Sequence, residues 1–406
     1  MTGPLQGIKV IECGTWALVP FAASILGELG ADVIKVEEPT RGDHFRGTMS
    51  VSPARSATTD AIARVASFEA VNRSKRAITL DLMKKEGREV LYKMVKDSDV
   101  FVHNLRPGVA EKIELDYETL AKHNPKIIYA QGVGFGLKGP DGQMPALEFS
   151  ALARAGWGYF AGEAGQPPAM FCVGLGDTIG SWVLTMSILA ALVARERLNV
   201  GQSVEVSLFG SLIATAGLVL NHKLVYGEEY PRRSQSGAKN PLWNIYQCAD
   251  DRWICLGLAQ YDRFWADFWQ TIDMPEILNE PRFDGMDMVY ENSEELVRIL
   301  NGVFKKKPAK EWVNRLKRKG LICEMVQTAS EVIDDPQAIA NEYIVEYDDE
   351  RYGRTKLVGL PCKFSETKPS IEAMAPEFSM HTEEVLLEHG YSWEDIVNLK
   401  VQGIIA

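Results

Sequence analysis

Apolar positions in the first 136 residues recur with two periods. The runs IKVIEC, DVIKVE, ITLDL, VFVHN and the IIYAQGV of residues 127–133 are short and rich in β-branched residues. Near-continuous apolar runs of that length predict strands buried on both faces. Between them, PFAASILGELG, KKEGREVLYKMVKDS and DYETLAKHNP place apolar residues at helical spacing, and Gly30 stops the first helix. Strand–helix–strand units cross over right-handed and pair in parallel. The pattern therefore predicts about five strands alternating with helices, a doubly wound α/β domain with a mostly parallel sheet.

Further along, 173–208 reads VGLGDTIGSWVLTMSILAALVARERLNVGQSVEVSL. An apolar helix from about 182 to 194 leads through a turn at 199–201 into an alternating strand, QSVEVSL. A helix follows over 211–226. IYQCADDRWICLGL predicts a hairpin turning at 249–251, and DRFWADFWQTI, SEELVRILNGVFKK and PAKEWVNRLKRKG predict helices. The change of pattern divides the chain into a large α/β domain over 1–224, a smaller α+β domain over 225–330, and a C-terminal segment, 331–406, that returns to the first. Residues 39–67 are polar and broken, which predicts a surface excursion.

Of the 406 residues, 46% are hydrophobic and 24% charged, the balance of a globular chain with a sizeable core. A net charge of −11 argues against binding nucleic acid or an anionic membrane surface. The start, MTGPLQGIKV, has no signal-peptide pattern. The longest apolar stretches fall short of the roughly 20 residues of a membrane span. Six scattered cysteines without CxxC spacing suggest reduced thiols in a cytoplasmic protein. No His, Cys or carboxylate array has metal-ligand spacing, so no metal is expected. The first loop, CGTWALVP, lacks the GxGxxG fingerprint of dinucleotide binders.

Two features suggest chemistry. Asp177 stands among Gly174, Gly176 and Gly180 at the start of the apolar helix. It is placed either to cap that helix or, with glycines admitting a ligand, to act as a nucleophile. Arg41, Arg46, Arg73, Lys75, Arg76, Arg106 and Lys112 fall in or near the loops after strands of an otherwise acidic chain. Open parallel sheets bind ligands at that edge, so these cations predict a site for a phosphorylated ligand. Trp157, Tyr159, Phe160 and Met170 precede Asp177 in a Gly- and Pro-rich loop and, with Trp243, suggest an apolar pocket wall; core packing is the alternative.

In order and spacing, PLQGIKVIE, GELGADVIKVE, NRSKRAITLDL, VHNLRPGVAEKIELDYETL, GLGDTIG with GQSVEVSL, and GLICEMVQTASEVIDDPQAIANEY resemble the class III CoA-transferases. The likeness spans the chain and points toward the branch acting on 2-hydroxy and aryl acids. It implies a Rossmann-like large domain, a small domain and an interlocked dimer, with a heteromer containing a paralogous subunit as the variant. Acyl-CoA and a small carboxylic acid are the implied substrates, CoA passing through as substrate rather than as a resident cofactor. The implied catalytic residue is Asp177, which attacks the thioester to form an anhydride and then an aspartyl-CoA thioester. Asn72, Lys75, Arg76, Asn104, Arg106 and Lys112 are the implied CoA contacts, and Trp16, Ala17, Glu148 and Gly176 the implied acid pocket. Two departures separate the chain from formyl-CoA transferase: Ala17 replaces a Gln that holds the reacting carbonyl, and AKNPLW replaces a glycine lid. Acyl-CoA racemases of the same superfamily carry a His where this chain has Leu147, so racemization is the alternative activity. A non-catalytic CoA-binding subunit is a further one.

Overall fold

The computed structural model describes residues 3–47 and 65–406. Most of the excursion expected over 39–67 lies outside the described residues. The chain divides into two units, one of residues 1–157, 170–227 and 341–406, the other of 158–169 and 228–340. The second unit thus takes 331–340 and a short segment just before Asp177 that the hydrophobic pattern assigns to the large domain.

In the first unit, β1 (Lys9–Cys13), α1 (Leu18–Glu28), β2 (Asp32–Glu37), α2 (Ala66–Asn72), β3 (Arg76–Thr79), α3 (Lys85–Val95) and β4 (Val100–His103) alternate. They continue through α4 (Val109–Lys112), α5 (Tyr117–His123), β5 (Ile128–Val133), α6 (Glu148–Arg154), α7 (Leu175–Leu198) and β6 (Gln202–Ser207). Helices α8 (Leu208–Thr215) and α9 (Gly217–Tyr226) follow. The six strands pair in parallel in the order β3-β2-β1-β4-β5-β6. That order reverses between β1 and β4, and the crevice at their carboxyl ends is where such sheets bind ligands.

Alternate strand residues face opposite layers. Val10, Val33, Val100, Val102, Ile128 and Ala130 pack under α1 and α7. Ile11, Ile34, Ile78, Phe101 and Tyr129 pack under α3 and α5, joined by Val385, Leu386, Ile396, Ile404 and Ile405 from the chain's end. Helix α7 starts at Leu175, earlier than its apolar run suggests, and its 24 residues are long and apolar enough to cross a membrane on length and composition alone. This corrects the expectation that every apolar stretch is too short. In the fold Leu184, Ile188, Ala191 and Leu192 of α7 are buried against the sheet.

The second unit has a three-stranded antiparallel sheet of β7 (Ile245–Gln247), β8 (Trp253–Leu256) and β9 (Cys323–Met325). The helices α10 (Tyr261–Thr271), α11 (Ser293–Phe304) and α12 (Ala309–Lys317) accompany it. Tyr246, Phe268, Trp269, Phe304 and Trp312 form its core. Cations of PAKEWVNRLKRKG are paired with acids on this unit's surface, Arg315 with Asp273 and Lys317 with Glu324, as on a solvated face.

Candidate active site

Asp177 does not cap α7. It lies in the first turn, and Gly174 before it takes φ +97°, a conformation that suits glycine. The cap comes from another helix. Glu148, at the start of α6, accepts from the main-chain N–H groups of Gly174, Gly176 (2.9 Å) and Asp177 (3.3 Å). A first helical turn has unpaired N–H donors and a partial positive charge, so a carboxylate satisfies both. The flanking glycines serve this packing. A Cβ on Gly176 would lie 3.2 Å from Glu148 Cβ, and one on Gly180 would lie 2.6 Å from Leu18 Cδ1. Gly176 and Gly180 thus let α6 and α1 approach α7, whereas a Cβ on Gly174 would meet nothing within 4 Å.

The Asp177 side chain is half-buried, and its carboxylate accepts no hydrogen bond from any described residue. Burial first, and the nearby charge of Glu148 second, push its pKa up to about 7. One turn on, Ser181 Oγ donates to Leu18 O (2.8 Å) as well as to Asp177 O (2.6 Å). This ties the Asp177 end of α7 to the start of α1, above the carboxyl end of β1. The loop 14–17 and the loop after β4 meet at the same edge: Asn104 Nδ2 donates to Thr15 O (2.7 Å), and Asn104 Oδ1 accepts from Thr15 N (2.9 Å). Trp16, Ala17, Asn104, Glu148, Gly176 and Asp177 are thus brought to one end of the first unit.

The cations divide into two sets. Arg106 and Lys112 are exposed on the loop and short helix after β4, and their side chains pair with no described residue. Lys75 is buried, its ammonium donating to Pro20 O, Val71 O and Asn72 Oδ1 and paired with Glu12 at 2.7 Å. Asn72 is buried too, its amide nitrogen donating to Phe68 O. Arg76 opens β3, so it stands at the amino edge of the sheet, paired with Asp32, Glu384 and Glu388. Arg46 and Arg73 are paired with Glu37 and Glu28. Protein oxygens thus already engage the charged donors of Lys75 and Arg76, which sets these two expected CoA contacts apart from the exposed Arg106 and Lys112.

Of the aromatic wall, Trp157 belongs to the packing around α8, donating from Nε1 to Leu212 O (3.1 Å) and meeting Phe171 edge-on. Tyr159 and Phe160 lie in the second unit, where Arg232 stacks on Tyr159. Met170 and Trp243 are exposed. Among the described residues no cluster of His, Cys, Asp or Glu is arranged to hold a metal. A cavity of about 450 Å³ lined by Glu28, Tyr347, Cys362 and Lys368 contains none of the expected site residues.

Inspection of residue types missed a buried ionic group beneath the loop after β1. Lys35 Nζ donates to Glu12 Oε1 (2.9 Å), Asp43 Oδ2 (2.9 Å) and Gly14 O (2.8 Å). Glu12 and Lys35 are charged positions inside otherwise apolar strands, IKVIEC and DVIKVE, and that was the available signal. A strand buried on both faces does not hold a charge unless another pairs with it.

A 3-2-1-4-5-6 sheet with a carboxylate beside its switch point defines a doubly wound α/β protein whose ligand site lies at that crevice. The family model for CoA-transferase family III matches residues 5–382, and the chain belongs to that family. It is 33% identical over 406 residues to the (R)-2-hydroxy-4-methylpentanoate CoA-transferase of Clostridioides difficile, covering 99% of each chain. The cinnamoyl-CoA:phenyllactate CoA-transferase of Clostridium sporogenes is 28% identical over 407 residues, covering 98% of this chain and 96% of that one. Among solved structures, a CAIB/BAIF family protein from Brucella suis superposes with a TM-score of 0.85 at 26% identity, covering 96% of this chain and 100% of that chain. The protein is accordingly a family III CoA-transferase, similar to the enzymes acting on 2-hydroxy acids.

Proposed function

We propose that the enzyme moves CoA from an acyl-CoA to a free 2-hydroxy, aryl or branched-chain acid, with Asp177 as the covalent relay. The observation that carries this is Asp177 itself: half-buried, without a hydrogen-bond donor among the described residues, and poised near neutrality by burial and Glu148. A carboxylate stripped of donors is a stronger nucleophile than one in water. Its oxygen attacks the thioester carbon, the C–S bond breaks, and CoA thiolate leaves an acyl-aspartyl anhydride. The thiolate then attacks the Asp177 carbonyl, displacing the donor acid and leaving CoA on Asp177. The acceptor carboxylate attacks that thioester, releases the thiolate and forms a second anhydride. Thiolate attack on the acceptor's acyl carbon yields the new acyl-CoA and restores Asp177. No proton or electron is gained or lost over the cycle.

Support for a bulky apolar acid comes from the relatives' names, which specify 2-hydroxy-4-methylpentanoate and phenyllactate. Burying a branched or aryl group of about 100 Å² contributes roughly 2–3 kcal/mol. Arg106 and Lys112, unpaired among the described residues at the ligand edge, are the proposed contacts to the CoA phosphates, with Asn104 holding their loop. We further infer an assembled dimer, supported by α9, which is apolar yet buries none of its residues.

The test is incubation with an acyl-CoA and a panel of acids, from phenyllactate and 2-hydroxy-4-methylpentanoate to oxalate and formate, following new thioesters by mass spectrometry. Transfer to the bulky acids, and an Asp177 hydroxamate on adding hydroxylamine, are expected. Preference for oxalate or formate would overturn the substrate class. Rapid α-deuterium incorporation from D₂O without transfer would replace the reading with racemization.

A further inference from the structure

The loop of residues 14–17 carries Trp16 and Ala17 across the switch point in an unusual form. Trp16 has φ +66°, a region that residues with a Cβ seldom enter. Side chains hold the main-chain polar atoms leading into it. Gly14 O accepts from Lys35 Nζ, both main-chain polar groups of Thr15 bond to Asn104, and Trp16 N donates to Asp43 Oδ1 (3.1 Å). Lys35 and Asp43 are themselves buried and joined at 2.9 Å, and Asp43 N donates to Glu37 Oε2 (2.8 Å).

A buried ion pair contributes little net stability, since desolvation offsets most of the attraction, and apolar side chains of similar size fill such space as well. What only the charged pair supplies here is a donor and an acceptor at two fixed points along one turn of backbone. A left-handed tryptophan persists where its surroundings over-determine it, commonly at sites of function.

We propose that Lys35 and Asp43 are positioning residues: they clamp 14–17 so that Trp16 and Ala17 hold the reacting acyl group in line with Asp177 and away from water. This rests on the transfer reading above. Neither residue touches substrate, and their effect passes through the loop.

The decisive variant is Lys35→Met/Asp43→Leu, which removes one charge of each sign, fills the space and leaves Glu12 paired with Lys75. Two quantities are read. Hydrogen exchange should show the Thr15 and Trp16 amides losing at least tenfold protection while β4 and β5 keep theirs. The ratio of thioester hydrolysis to transfer should rise at least tenfold, because a loosely held intermediate is open to water. That ratio does not depend on how much enzyme is folded, so a merely structural role would leave it unmoved. Should the double variant fail to fold, Asp43→Asn, which breaks the link to Lys35 at constant volume, is measured the same way. Unchanged protection in the loop, or a loosened loop with an unchanged ratio, would overturn the proposal. If the wild type transfers CoA to no acid, the transfer reading fails, and the exchange data still decide whether the clamp exists.

Discussion

At Asp177 two effects act on one carboxylate, burial and the charge of Glu148, and both favour its protonated form. As the proposed nucleophile it must be ionised, so kcat/KM is expected to rise with pH through an acid limb near 7. Glu148→Gln removes the like charge but keeps an oxygen for the α7 amides, so the limb should move to lower pH; a limb that stays in place would show that Glu148 does not act on Asp177. Stability follows the opposite course. The folded state holds the Asp177 proton between the ordinary value of 3.8 and about 7, so stability falls as pH rises through that window. Asp177→Asn removes the penalty. In urea titrations it should gain about 3 kcal/mol more at pH 8 than at pH 4.5, since each tenfold change in acidity between the folded and unfolded states is worth about 1.4 kcal/mol, while transfer is lost.

Between elements, the approach of α7 to α1 depends on Gly180, where added atoms meet Leu18 and Leu208. Gly180→Val overpacks that contact and should destabilise the fold by about 1–3 kcal/mol, read as a lower urea midpoint at constant m-value. The two sets of cations separate in the same way. Arg106→Ala and Lys112→Ala should each raise KM for acyl-CoA roughly ten- to hundredfold, with KM for the free acid nearly unchanged. Lys75→Met instead leaves Glu12 with one cation fewer in a buried place, so its main effect should be on the thermal midpoint. A KM effect for Lys75 equal to that for Lys112 would return it to the ligand site.

For the whole molecule, α9 exposes Leu218, Leu224, Val225 and Tyr226 on a helix with no buried residue. Sedimentation equilibrium is expected to give a dimer, and Leu218→Asp with Leu224→Asp to shift it toward monomer. A monomeric wild type would sink the assembly inference.

The alternation of short apolar runs with amphipathic helices was sufficient for a doubly wound α/β sheet, because strands covered on both faces must be apolar along their length. The motif order likewise identified the family from sequence alone, and the glycine-flanked acid singled out Asp177 as the proposed relay. The rest depended on distances between residues far apart in the chain. That Glu148, 29 positions from Asp177, caps α7 follows from the packing of α6 on α7. Cations that look alike in NRSKR and NLRPG separate because one group precedes β3 and meets carboxylates, whereas the other follows β4 and meets none among the described residues. Lys35 and Glu12 form a buried pair because the parallel register of β1 and β2 sets Glu12 opposite Lys35. Local pattern determines which face of an element is apolar; only tertiary packing decides which charges find partners and that the Asp177 carboxylate meets no donor among the described residues.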